Sequence, residues 1–273
     1  MWILNSALGW LLDGLLLPFR ELPAAVGLAV VSVVAAVGML LVFKVTSDQP
    51  RLARTKRRIQ AAILEIRLLN EDPRFVMAAQ LDVLRHSGAY LRLTLVPLLW
   101  MALPLVILMA HLQAYYGYRG LQVGETAIVS AKVREAATFS VAPALVGDAG
   151  LVVETPVLWI PSLREADWRI VAAEPGEHEL RLSVGDAVLT KTVLVSGSPG
   201  RRSARRPSPS LLDQLLYPSE PPLAGGATVV AIKVGYAAGQ VSLLGWKTHW
   251  IIAFLIITLL AAFALRGPLR VTF

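Results

Sequence analysis

The chain has 273 residues, a formal net charge of +7, no cysteine, 55% hydrophobic and only 16% charged residues, and a mean hydropathy of +0.60. That is too apolar for a soluble domain and too short for a large transporter. The missing cysteines exclude disulfides, thiolate metal sites, cysteine nucleophiles and thioether lipid anchors together.

Residues 1–23 are apolar but lack the basic leader and small-residue cleavage site of a signal peptide, so they are expected to stay attached. On a helical wheel Leu4, Leu8, Leu11, Leu12, Leu15 and Phe19 share one face, opposite Ser6, Gly9, Asp13 and Arg20. This describes an interfacial amphipathic helix on the outer surface of a membrane, separated by Pro23 from the first span. Residues 24–44 are uncharged up to Lys44, long enough to cross a hydrocarbon core of ~30 Å, and carry Gly27, Ser32, Ala35, Ala36 and Gly38 for close helix packing.

Residues 45–92 form the segment that orients the rest. From Lys44 to Gln113 the chain holds ten Lys or Arg against five acids, and the positive-inside rule places that excess in the cytoplasm. Sidedness therefore accounts for most of the net charge, and DNA is not an expected partner. Ser47, Asp48 and Pro50 supply the chemistry of a helix start. Leu52, Ile59 and Ile66, with Ala62 and Leu69, make a narrow apolar seam, which expects a mate in Val76, Ala79, Val83 and Leu84. A turn at Asn70-Glu71-Asp72-Pro73 and a stop at Gly88 complete an antiparallel, coiled-coil-like helical hairpin. Its basic face, Arg54, Lys56, Arg57 and Arg58, is a candidate surface for lipid headgroups, a ribosome or another partner.

Residues 93–113 read as the second span, with Pro97 and Pro104 nearly on one helical face and Trp100 and Met101 between them. Lys44, Arg92, Thr94, Pro97, Met101 and Pro104 are the candidate groove or mouth. His111 has no partner at metal spacing. From Tyr118 apolar and polar residues alternate between Gly, Pro and Asp breaks, predicting an extracytoplasmic β-sandwich of about seven strands over 118–241. Residues 196–226, basic and Ser/Pro/Gly-rich over 196–210, read as a mobile linker, followed by a returning strand at 227–236. Trp246 and Trp250 mark an interface, 246–265 a third span, and 266–273 a cytoplasmic tail with Arg266 and Arg270.

The order of these parts resembles the core of the YidC/Oxa/Alb membrane-insertase superfamily, of the three-span type found in the third subunit of the ER membrane protein complex and in archaeal YidC-like proteins. Pro97-Leu98-Leu99 followed by Pro104 is similar to that superfamily's pattern after the hairpin, with the second proline one residue later. The likeness covers about 140 residues of architecture. Two features depart from it. The bacterial insertases carry an arginine in the first core span facing a hydrophilic groove, whereas here Lys44 is the nearest cation, and the sandwich is no part of the insertase core.

The expectation is thus a membrane α-helical protein: three transmembrane helices, a cytoplasmic helical hairpin, an interfacial N-terminal helix and an inserted all-β sandwich, in a bacterial cytoplasmic membrane. What the resemblance implies is an insertase-like protein or chaperone assisting membrane-protein insertion, assembly or transport. Its partners would be membrane lipid, nascent or client membrane proteins, and a ribosome or translocon. The alternative is a structural subunit that binds other envelope proteins through the sandwich. Neither a phosphate-binding Gly loop nor a His-Glu-x-x-His or Gly-x-Ser-x-Gly motif occurs, and Asp167 and Glu174 read as loop acids, so no catalytic residue, cofactor or metal is expected.

Overall fold

The computed structural model describes residues 2–68, 73–134, 142–197, 200–243 and 245–271. Leu69 of the expected seam, the expected turn at Asn70-Glu71-Asp72 and residues 135–141 of the expected sandwich lie outside these residues. The chain forms two compact units, one of residues 1–28 and 107–253 and one of residues 29–106 and 254–273.

In the first unit, helix α1 (Trp2–Leu16) continues into a 3-10 turn at Leu17–Phe19. Asn5, Gly9, Leu12 and Leu16 are buried, while Ile3, Leu4, Trp10, Leu11 and Leu17 are exposed. The polar side of α1 faces protein because its groups find partners there: Asn5 Nδ2 donates to the Gln214 carbonyl, and Asp13 pairs with Arg20 and Arg201.

The sandwich follows the sequence alternation closely. Strand β1 (Thr126–Val133) pairs antiparallel with β5 (Glu165–Ala172) on one side and β9 (Val229–Val234) on the other. Strands β3 (Leu151–Val153), β4 (Leu158–Ile160) and β8 (Arg205–Arg206) complete this six-stranded sheet. A second sheet orders β2 (Ala144–Gly147), β6 (Gly176–Val184) and β7 (Ala187–Val195). Alternate residues of both sheets, among them Val129, Trp168, Ile170, Leu180, Leu182 and Val193, meet in one core. Gly185 at φ +58° opens the two-residue turn between β6 and β7, the conformation a type II′ hairpin requires at that position. Asp167 lies within β5 rather than in a loop.

The described part of 196–226 is fastened down, not a mobile linker. Besides β8 it contains helix α5 (Leu211–Leu216), whose first turn is capped by Ser210 accepting from the Asp213 amide at 3.2 Å. Every arginine in it has a partner. Arg205 pairs with Asp213 at 2.9 Å, Arg206 donates to Thr190, and Arg202 donates to the Tyr118 carbonyl at 3.0 Å. The buried Lys191 of β7 holds Glu220 at 2.8 Å and the Ser203 carbonyl at 2.6 Å. A hairpin of β10 (Val241–Leu243) and β11 (Trp246–Thr248) precedes the last helix, so the start of the expected third span is strand.

Helix α2 (Ala24–Thr46) begins in the first unit and runs into the second. Its buried stripe within the second unit is Ser32, Ala36 and Leu40, whereas Gly38 faces open space. Asp48 then caps α3 (Gln49–Leu68), its carboxylate accepting from the Arg51 amide at 3.0 Å. Leu52 and Ala62 of the expected seam are buried, and so is Ala79 of the mate, but Leu84 is exposed. Helix α4 (Pro73–Tyr116) runs 44 residues without interruption. Gly88 does not end it, because a glycine within a helix costs only about 1 kcal/mol, and hairpin arm and second span are one helix. Helix α6 (Trp250–Leu265) has 16 residues, a length of ~24 Å. Among the described residues, three helical stretches are long and apolar enough to cross a membrane, Trp2–Phe19, Ala24–Thr46 and Val76–Tyr116; α6, expected as the third span, is shorter.

Candidate functional site

A groove of about 350 Å³ opens in the second unit. Ala36, Met39, Leu40 and Phe43 of α2 form one wall, Thr94, Leu98 and Met101 of α4 another, and Thr258 and Ala262 of α6 the third. Small residues make the space. Ala36 is fully buried on α2, and Ala262 adds a second small side chain from α6.

Of the six sequence-expected groove residues, Thr94 and Met101 line it. Pro97 is buried between them on α4, Pro104 and Arg92 are exposed, and Lys44 is exposed with its ammonium donating to the Leu269 carbonyl at 3.0 Å. Lys44 thus ties the end of α2 to the chain after α6 and does not serve as the cation of a hydrophilic groove. The lining is almost wholly apolar. Thr94 turns its hydroxyl back to the Tyr90 carbonyl at 3.1 Å, as threonines in helices do, and shows its methyl instead. Thr258 differs: its buried Oγ1 meets no hydrogen-bond partner. A lone hydroxyl in the run Ile256-Ile257-Thr258-Leu259-Leu260 was the one signal in the sequence that could have marked α6 as a wall.

The basic face of α3 is where the sequence puts it, with Arg54, Lys56, Arg57 and Arg58 all exposed. Arg54 folds back on the Pro50 carbonyl at 3.2 Å.

The first unit holds polar clusters that the sequence did not suggest. Tyr115 donates its hydroxyl to Asp13, which also pairs with Arg20 at 3.5 Å and Arg201 at 3.7 Å. His111 is buried near Gly9, and a methyl at Gly9 would meet the Arg201 guanidinium. Trp250, expected in an aromatic belt, is buried and donates to Gln113 at 3.0 Å, while Trp246 is 83% exposed. In the sandwich, burial pushes the Lys191 ammonium below its ordinary value and Glu220 opposes that shift. Burial raises the Asp148 carboxyl, but the amides of Glu179 and Gly150 and the His178 ring outweigh it and hold it below the usual range. The amide of Gln122 and the Arg119 guanidinium hold Glu125 low in the same way. Among the described residues no group of three or more His, Asp or Glu is arranged to hold a metal.

No protein-family model, curated protein or solved structure matches this chain.

Proposed function

We propose that this is an integral membrane protein that receives an apolar transmembrane segment of a client or partner protein in the groove of α2, α4 and α6, and so assists membrane-protein assembly. The apolar lining of that groove carries the reading. An insertase that moves hydrophilic segments needs water and charge along their path, since a buried polar group without a partner costs several kcal/mol in hydrocarbon. Aliphatic walls with a single unpartnered hydroxyl instead suit an apolar helix, which packs by close contact and one or two interhelical hydrogen bonds. Exposed apolar side chains on α4 (Leu95, Leu98, Leu99, Trp100, Leu103) and α6 (Ile256, Leu259, Leu260, Phe263) support placement in lipid, because in water such a surface drives aggregation.

The charge distribution supports a bacterial cytoplasmic membrane with the basic hairpin inside and the sandwich outside. The packing of α1 supports an interfacial position for that helix, with Asn5 and Asp13 against the folded domain and Ile3, Trp10 and Leu11 left for acyl chains. The alternative reading, a structural subunit that binds envelope proteins through the sandwich, draws on the rigidly fastened strap at 200–223.

Site-specific photocrosslinking decides between them. A photoreactive side chain at Met101 or Thr94 is expected to capture an apolar segment of another membrane protein, and one at Lys44 to capture little. Substituting Ala36→Phe, which fills the groove, is expected to abolish the Met101 adduct. Adducts confined to probes on the sandwich would favour the structural subunit.

A further inference from the structure

Two threonines line the groove of the second unit, and they behave differently. Of the described lining residues only Thr94 and Thr258 carry a side-chain oxygen; the rest supply hydrocarbon or a weakly accepting thioether. Thr94 directs its hydroxyl to the carbonyls of Tyr90 and Leu91, at 3.1 and 3.0 Å. Thr46 and Thr55 do the same in α2 and α3, donating to the carbonyls of Val42 and Arg51 at 2.7 and 2.9 Å. Bonding back to the preceding turn is how a helical threonine ordinarily satisfies its hydroxyl. Thr258 departs from this: its Oγ1 is shielded from solvent and meets no hydrogen-bond partner.

Thr258 is the ninth of the sixteen residues of α6, with Ile256 and Ile257 before it and Leu259 and Leu260 after it. Across the groove the only other hydroxyl of the described lining, that of Thr94, already donates to its own helix. A buried hydroxyl without a partner destabilises the chain that carries it, and valine would fill the same space without that penalty. The group that satisfies it therefore arrives with the occupant of the groove. A rotation about the Cα–Cβ bond redirects the hydroxyl without movement of α6. An apolar membrane segment with one Ser, Thr, Asn or Gln near its middle has the complementary defect, a polar group that lipid cannot satisfy. A charged side chain does not fit, because one hydroxyl among aliphatic walls leaves an ion uncompensated.

We infer that Thr258 sets the specificity of the groove: it hydrogen-bonds a single uncharged polar side chain near the middle of the incoming apolar segment, and so favours such segments over wholly apolar ones. The hydroxyl covers that side chain while the segment is held, until a partner helix replaces it. The inference rests on the groove reading proposed above and adds to it the class of segment received.

The test uses the full-length protein in liposomes, a photoreactive side chain at Met101, and three synthetic membrane-spanning peptides at low peptide-to-lipid ratio. One peptide is all leucine, one has Asn at its centre, and one has Asn at its end. Adduct yield is expected to be about threefold higher for the central Asn than for the other two, the order of one interhelical hydrogen bond in a membrane. Thr258→Val, nearly the same shape, abolishes that preference, whereas Thr258→Ser keeps it. Because the hydroxyl has no partner within the chain, Thr258→Val leaves the thermal transition at or above that of the wild type; loss of an internal hydrogen bond would lower it. Equal yields for the three peptides, a preference that survives Thr258→Val, or a lowered transition in that variant overturns the inference. Equal capture of central and terminal Asn above the all-leucine peptide overturns it too. In each of these cases the groove reading stands so long as the all-leucine peptide is captured, whereas capture of no peptide overturns both.

Discussion

Single carboxylates give the sandwich its response to acid. Asp148 accepts from the Gly150 and Glu179 amides at 3.0 and 2.9 Å and pairs with His178; Glu125 accepts from the Gln122 amide at 3.0 Å and pairs with Arg119. Both carboxyls titrate below their ordinary values in the folded state. Their stabilisation is therefore complete above the unfolded values of about 4 and is lost as pH falls through the lower folded ones. The unfolding temperature of the sandwich is expected to be level with respect to these groups above about pH 5 and to decline below about pH 4. Asp148→Asn should lower stability at neutral pH and flatten the decline, measured by circular dichroism against pH; an unaltered acid limb would remove Asp148 from this role. The alternation of β6 and β7 was legible in the sequence, but these pairs were not, since Asp148 and His178 are thirty residues apart and meet only when β6 lies beside β2.

Among the elements, the strap at 200–223 departed furthest from expectation. Composition shows which groups are polar but not which of them find partners. The arginines that make the strap look disordered each meet carbonyls or a carboxylate, and Glu220 reaches into the sandwich to Lys191. Lys191→Met would leave Glu220 buried beside an uncharged neighbour, a loss of about 3–5 kcal/mol; adding Glu220→Leu should recover much of it, because an apolar pair of similar volume often replaces a buried ion pair without penalty. Urea unfolding of the two variants measures this, and equal stability of single and double variants would show that the pair is not coupled. In α1 the amphipathic pattern was legible, but the partners of its polar side, Gln214, Arg201 and Tyr115, were not.

On the scale of the whole molecule, the proposed orientation and the proposed activity are expected to be separable. Replacing Arg54, Lys56, Arg57 and Arg58 with Gln leaves Lys44, Arg51, Arg67, Arg74, Arg85 and Arg92, so the positive-inside bias persists. The four lie on the exposed side of α3, away from buried Leu52 and Ala62, so the helix should persist as well. Protease protection of the sandwich in sealed vesicles is expected to be unchanged, while attachment of the hairpin to anionic vesicles weakens by on the order of 1 kcal/mol per charge removed. An inverted protection pattern would mean that these four residues, and not the total bias, set the topology.

The sequence alone determined the properties that depend on local pattern. Period-two alternation gave the sandwich strands, uncharged runs gave α2 and the apolar part of α4, and the cluster of basic residues gave α3 its outer face. Local pattern is legible because each residue's preference depends on neighbours a few positions away. Tertiary structure decided the continuity of α4 past Gly88, the partners of the polar side of α1, the fastening of the strap, and the apolar character of the groove, where Thr94 and Met101 were expected but Ala36, Phe43 and Thr258 were not. Each of these depends on which distant group satisfies a polar atom or leaves a space unfilled, and that is fixed only when the elements pack.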